Sequence, residues 1–303
     1  MPRKLLVVIT GPTAVGKTSV AIQVAKHFQT SVISADSRQF YSEIPIGTAQ
    51  PSQEEMSGVK HHLIASHSIH DGIDSGKYAK LAEGILLEEF KSHDVVILCG
   101  GSGLYIDALI NGFDALPEVD PEIRNALRKT FDECGIVPLQ EELKKLDPEY
   151  YARVDVNNHA RIMRALEVCK ASGRKYSELR KGIKKKNEFE TLTFCIDLPR
   201  EELYDRIDTR VDEMMSAGLE KEARAVFPMK ELGALRTVGY RELFDHFEGK
   251  SSLAEAVDLI KQHTRNYAKR QLTWWRNKPY VNFCSPFQTE DIIRKITTFL
   301  LNE

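Results

Sequence analysis

The eight residues Gly11-Pro12-Thr13-Ala14-Val15-Gly16-Lys17-Thr18 decide how this chain is read. Two glycines, a lysine and a hydroxyl stand at the spacing of a P-loop. The context agrees. Residues 5–10 are a short, β-branched apolar run that predicts a buried strand, and residues 17–28 predict an amphipathic helix. Glycines at both ends let the backbone turn tightly, so that several N–H groups face one anion. The helix start adds partial positive charge, and Lys17 adds a full one. The Thr18 hydroxyl can ligate Mg²⁺. The loop therefore predicts a phosphate or diphosphate site without specifying the compound.

The flanking sequence places the loop in a fold. Residues 31–34 predict a second strand. Asp74 or Ser75 can cap a helix over 77–90. Residues 95–99 predict a buried strand that runs into Gly100-Gly101-Ser102-Gly103 and a helix from Leu104. This rhythm predicts an α/β fold, a P-loop NTPase-like parallel sheet flanked by helices. From residue 121 to about 182 only helices are predicted (121–134, 139–146, 148–153 and 158–172), which makes an all-helical insertion. Residues 191–197 return as a strand, followed by helices over 200–217, 219–227, 238–246 and 252–276. The expected division is a core of 1–116 and 190–303 with an insertion of 117–189.

With 303 residues the chain can form one large or two smaller domains. It has no apolar run long enough to span a membrane, and residues 5–9 are too short for a signal peptide. Five scattered cysteines with no CxxC spacing point to reduced thiols in a cytoplasm. The net charge of −2 hides basic stretches: seven of the thirteen residues 174–186 are Lys or Arg, and residues 261–278 carry six more. These can be solvated helix faces or phosphate-binding patches.

Several residues are candidates for chemistry. Asp36 follows the second strand, so a parallel sheet sets it across the strand-end crevice from the P-loop, where a carboxylate can act as base or metal ligand. It can also simply cap a turn. The turn 100–103 forms a second wall. Strand 95–99 ends without the Asp or Glu that ATP-using P-loop enzymes usually place there. Arg206 and Arg210 share a helix face, suited to phosphate or to salt bridges with Asp205, Asp208 or Asp212. Arg161 and Arg164 share another face and could grip a nucleic-acid backbone. Leu253, Val257, Ile260, Thr264 and Tyr267 form a stripe expected to be core. His61, His62, His67 and His70 match no zinc spacing and are expected in loops and packing.

Taken in order, further segments match one family: Asp36-Ser37-Arg38-Gln39, Ile46-Gly47-Thr48-Ala49, His61-His62-Leu63, Gly100 to Tyr105, Arg161 to Val168, Val238-Gly239-Tyr240-Arg241, and Tyr267-Ala268-Lys269-Arg270-Gln271 with Thr273-Trp274. With the P-loop, the chain resembles the bacterial tRNA dimethylallyltransferases. The resemblance implies transfer of a dimethylallyl group from dimethylallyl diphosphate to the exocyclic amine of adenosine 37, beside the anticodon, giving N6-dimethylallyladenosine. It implies Mg²⁺ as cofactor; separately, the chain is expected to be a monomer in the cytoplasm. It makes Asp36 the base, Thr18 the metal and diphosphate contact, and Arg210 a diphosphate contact. The implied tRNA contacts are Asp36, Ser37, Arg38, Gln39, Ser102, Arg124, Ala160, Arg161, Ile162, Met163, Arg164, Arg236, Gly239 and Tyr240, and the partner is the anticodon stem-loop. Ser102 stands where the family often has Thr and keeps the hydroxyl. Nothing in this sequence could form the zinc finger that eukaryotic relatives carry. The alternative is a small-molecule or nucleoside kinase using ATP; no NKxD sequence supports a GTPase.

Overall fold

The computed structural model describes residues 3–112, 114, 116–180, 182 and 185–302. The chain divides into two compact units, Met1–Asn111 with Lys186–Glu303, and Gly112–Lys185. The insertion thus begins and ends slightly earlier than the expected 117–189.

The larger unit opens with strand β1 (Leu5–Thr10), helix α1 (Lys17–His27), β2 (Val32–Ser34), α2 (Gln53–Met56), β3 (His61–His62), α3 (Ser75–Glu89), β4 (Val95–Cys99) and α4 (Gly103–Asn111). The insertion contributes α5 (Pro121–Cys134), α6 (Val137–Leu146), α7 (Pro148–Tyr151), α8 (His159–Ser172) and α9 (Tyr176–Leu179). The larger unit resumes with β5 (Glu190–Ile196), α10 (Arg200–Ser216), α11 (Leu219–Val226), α12 (Tyr240–Phe247), α13 (Leu253–Arg276), β6 (Val281–Cys284) and α14 (Thr289–Leu301).

The strands form one parallel sheet in the order β3-β2-β4-β1-β5-β6. All six residues of β1 are buried. Leu6 and Val8 join one core, with Ile33, Leu98 and Tyr78. Leu5, Val7 and Ile9 join the other, with Val20, Val24 and Ile296. A strand with a core on each face reads as an unbroken apolar run rather than as an alternation. The edge strands β3 and β6 and the helix α14 go beyond the sequence reading. His61 and His62 sit in β3 rather than in a loop, and His62 Nε2 meets Glu89 Oε1 at 2.9 Å.

The insertion has a core of its own, built from Leu127, Leu139, Leu143, Tyr150, Ile162, Ala165 and Leu166. Asp147 anchors it: the fully buried carboxylate accepts from Tyr150 N and from the backbone and hydroxyl of Ser177.

Candidate active site at the strand ends

The anion loop joins β1 to α1. Gly11 has φ +140°, and a Cβ there would lie 2.3 Å from the Ile196 carbonyl at the end of β5. Gly16 is the N-cap of α1 in the left-handed region (φ 96°), with no side-chain cap for the helix start. Lys17 Nζ donates to the Pro12 carbonyl at 2.7 Å, and burial pulls its ammonium pKa down. Thr18, the second residue of α1, is half-buried. The Thr13 N–H donates to Gln271 Oε1 at 2.9 Å, and Gln271 Nε2 donates to the Gly101 carbonyl at 2.9 Å.

Asp36 lies on the neighbouring wall. Its Oδ1 accepts from the backbone N–H of Arg38 at 2.8 Å and of Gln39 at 3.3 Å, so it does cap a turn. Among the described residues Oδ2 takes no hydrogen bond. The wall is held from behind. Ala35 N donates to Cys99 O at 2.7 Å, Ser102 N to Ala35 O at 3.2 Å, and Ser37 N to Ser102 Oγ at 2.9 Å. A Cβ on Gly100 would stand 2.2 Å from the Ala35 carbonyl, which is why the turn needs glycine there. Gln39 is occupied with its own loop, its Nε2 donating to the Thr48 and Ala49 carbonyls.

Both walls open on a cavity of about 340 Å³. Thr13, Asp36, Ser37 and Arg38 line one side. Helix α10 contributes Ile207, Arg210, Val211 and Met214, and α13 contributes Ile260, Thr264, Tyr267 and Arg270. The lower part of the expected core stripe is therefore a site wall. Burial pushes the Tyr267 phenol up to about 12, and the nearby Ser102 hydroxyl opposes this. Arg206 and Arg210 part company: Arg206 Nη2 pairs with Glu202 at 2.8 Å, whereas Arg210 faces the cavity and forms no ion pair among the described residues. Asp208 and Asp212 pair instead with Arg265 and Lys261. Burial lowers the Arg210 pKa, and the carboxylates of Glu55, Glu213 and Asp36 oppose this.

Arg236, Gly239 and Arg241 also line the cavity. Tyr240 does not. It is fully buried, and its hydroxyl donates to Glu222 Oε1 at 2.5 Å. Glu222 in turn accepts from Ile46 N and Gly47 N, each at 2.8 Å, so Tyr240 supports the 46–49 loop rather than offering a contact surface. Its hydroxyl would lie 2.4 Å from a Cβ on Gly47.

In the insertion, Ala160 and Arg161 are exposed, and Met163 and Arg164 are half-buried. Ile162 is fully buried in the insertion's core, so it too is a supporting residue. Arg124 and Arg164 both bond the buried carboxylate of Glu167, each at 3.1 Å. Arg153, Arg161 and Arg180 line a separate basin of about 280 Å³ beside Tyr150.

Gln271, Tyr267 and Glu222 escaped sequence reasoning as site-forming residues. The available signal was a glutamine on a helix face that is otherwise apolar, four positions after a tyrosine.

A parallel sheet opening on a glycine-lined anion loop, with a carboxylate and a guanidinium facing one cavity, defines a P-loop protein with the parts of a group-transfer site. The sequence profile of the family described as IPP transferase matches residues 39–278. A tRNA dimethylallyltransferase of Cytophaga hutchinsonii is 44% identical, with 98% of this chain and 96% of the relative covered. One from Christiangramia forsetii is 49% identical, with 92% of each covered. The full-length tRNA isopentenylpyrophosphate transferase of Bacillus halodurans superposes with a TM-score of 0.73 at 34% identity, covering 98% and 97% of the two chains. A eukaryotic dimethylallyltransferase acting on tRNA gives a TM-score of 0.81 at 25% identity, covering 99% of this chain and 80% of that one. The chain belongs to the IPP transferase family, the tRNA dimethylallyltransferases, which are prenyltransferases.

Proposed function

We propose that this chain transfers the dimethylallyl group of dimethylallyl diphosphate to the exocyclic amine of the adenosine beside the anticodon of tRNA. The observation that carries this reading is the convergence of Thr13 of the anion loop, Asp36 and Arg210 on one cavity. The diphosphate lies on the loop N–H groups, Lys17 and Arg210. The alkenyl tail lies against Ile207, Val211, Met214 and Ile260. The conjugated amine is a weak nucleophile, so Asp36 takes its proton through Oδ2, the oxygen its turn leaves over. The nitrogen–carbon bond forms as the allylic carbon–oxygen bond breaks, and the electron pair leaves on the diphosphate, where the surrounding cations and N–H groups stabilise it.

The donor set suits Mg²⁺. The Thr18 hydroxyl is a hard oxygen donor of the kind this ion takes. Among the described residues no group of three His, Cys, Asp or Glu could hold a metal. Mg²⁺ characteristically takes few protein ligands and completes its shell with water and phosphate oxygens. It would be held by Thr18 and would supply charge neutralisation on the leaving group.

The target base must leave its stack, which is easier in a loop than in a duplex. Arg161 and the basin around it would grip the stem through its backbone, with Arg124 and Arg164 fixed by Glu167. Among the described residues no helix is long and apolar enough to cross a membrane; the tRNA of the cytoplasm is the proposed substrate pool.

The deciding experiment mixes purified protein, Mg²⁺, labelled dimethylallyl diphosphate and unmodified tRNA. Label is expected in tRNA. Asp36→Asn keeps an oxygen for the Arg38 and Gln39 N–H groups and removes the base, so transfer should fall by about 10²–10⁴-fold while diphosphate binding persists. Turnover at the wild-type rate would remove Asp36 from the chemistry.

A further inference from the structure

Gln271 is only 6% exposed, and its amide spans two walls that hang from different strands. Oε1 accepts from the Thr13 N–H and Nε2 donates to the Gly101 carbonyl, both at 2.9 Å. These partners fix the amide's orientation, because the flipped amide would set donor against donor and acceptor against acceptor. The fit is close: a Cβ on Gly101 would stand 2.1 Å from Nε2.

Each anchor leads to one side of the reaction. Thr13 belongs to the anion loop. Gly101 precedes Ser102, which accepts from Ser37 N at 2.9 Å and donates its own N–H to Ala35 O at 3.2 Å. Asp36 lies between those two residues. One turn earlier on α13, Tyr267 lines the cavity beside Asp36 and Ser37. Gln271 therefore ties both walls to α13, one turn after a residue that lines the cavity.

Resting on the roles proposed above for the anion loop and Asp36, we infer that Gln271 is a positioning residue that sets the separation of the diphosphate cradle from the Asp36 wall. The allylic carbon is fixed by the first and the amine by the second, so the amide controls how closely they approach. Small errors in such an approach are costly in rate, because the bound geometry must already be near that of attack.

The test uses the full chain, steady-state transfer to unmodified tRNA, and a thermal unfolding midpoint for every variant. Gln271→Met keeps the length of the side chain and removes both bonds; kcat should fall by tenfold or more, on the order expected for two buried hydrogen bonds. Gln271→Glu supplies the sharper readout. When ionised, the introduced carboxylate sets an oxygen against the Gly101 carbonyl; when protonated, it restores one donor and one acceptor. Burial raises the pKa of that carboxyl group, so the ratio of variant to wild-type kcat should climb as pH falls from about 8 to about 6.

A ratio that does not change with pH overturns the inference, as does Gln271→Met with wild-type kcat and KM. So does a Gln271→Glu protein that unfolds in step with its loss of turnover, since that assigns the amide to stability alone. Asp36→Asn is measured in parallel. If it turns over normally, the reading of the site fails. If it is inactive while the Gln271→Glu ratio stays flat, only the positioning role fails.

Discussion

At the scale of single residues, the cavity separates groups that motif matching treats alike. Arg206 and Arg210 share a helix face, yet Glu202 neutralises one and the other is left facing the cavity. Arg210→Ala should raise the KM for dimethylallyl diphosphate by about 10–100-fold, the range for loss of charge-assisted hydrogen bonds. Arg210→Lys should recover only part of this, because an ammonium lacks the planar fork. Steady-state kinetics with varied diphosphate check both; an unchanged KM in Arg210→Ala would detach the residue from the leaving group. The placement of the glycine loop between β1 and α1 and of Asp36 after β2 was legible because the signals are local, a few residues at fixed spacing. That Tyr240 and Ile162 are buried was not legible, because a matched segment says nothing about which of its side chains point inward. Burial is settled by distant partners, Glu222 for one and the insertion's core for the other.

At the scale of elements, buried carboxylates pin the edges. Glu89, near the end of α3, reaches the residue before β2 through Ser31 (2.8 Å) and β3 through His62 (2.9 Å), and it also accepts from Lys60 (3.0 Å). Burial alone would push its carboxyl pKa up, but the bonds from Lys60, Ser31 and His62 outweigh that and pull it down to about 2. A depressed folded-state value means that the stabilisation is present above the unfolded carboxyl range and is lost as pH falls from 4.5 towards about 2. With Lys60 largely in solvent, the contribution is roughly 2 kcal/mol. In denaturant titrations of wild type and Glu89→Gln between about pH 7 and 3, the stability difference should shrink towards the acid end; parallel curves would refute the assignment. The short edge strands were hard to read for a related reason. β3 has two residues and β6 four, each paired on one side only, so neither leaves an apolar run in the sequence. The helix α13 was visible as a helix, but its stripe divides between packing and cavity wall, a distinction periodicity cannot make.

At the scale of the whole molecule, the two units divide the labour in the proposed reaction. The insertion was legible as a change of rhythm from strand–helix to helix alone, and its limits shifted because coil at either end carries no periodic signal. Of the three arginines on its basin, Arg153 lies near Glu149 at 3.2 Å, while Arg161 and Arg180 form no ion pair among the described residues. Arg161→Ala should weaken tRNA binding at all sequences alike and lower the slope of log affinity against log salt by about one. Arg180→Ala should do the same, and neither should alter diphosphate affinity. Filter binding over a salt series measures the slope; an unchanged slope in both variants would place the RNA elsewhere.

The order of the strands also bears on how the chain comes to exist. Leu5 pairs with Val95 on one side and with Glu190 on the other. On the ribosome, β1 therefore meets its first neighbour early but waits for the second until the entire insertion has been made. Gly11 rests against the Ile196 carbonyl, so the cradle has no backstop until that late strand arrives. Closing so long a loop is slow. Until it closes, the nascent chain carries a half-built sheet with an open apolar edge, and ligand binding cannot guide the early steps of folding.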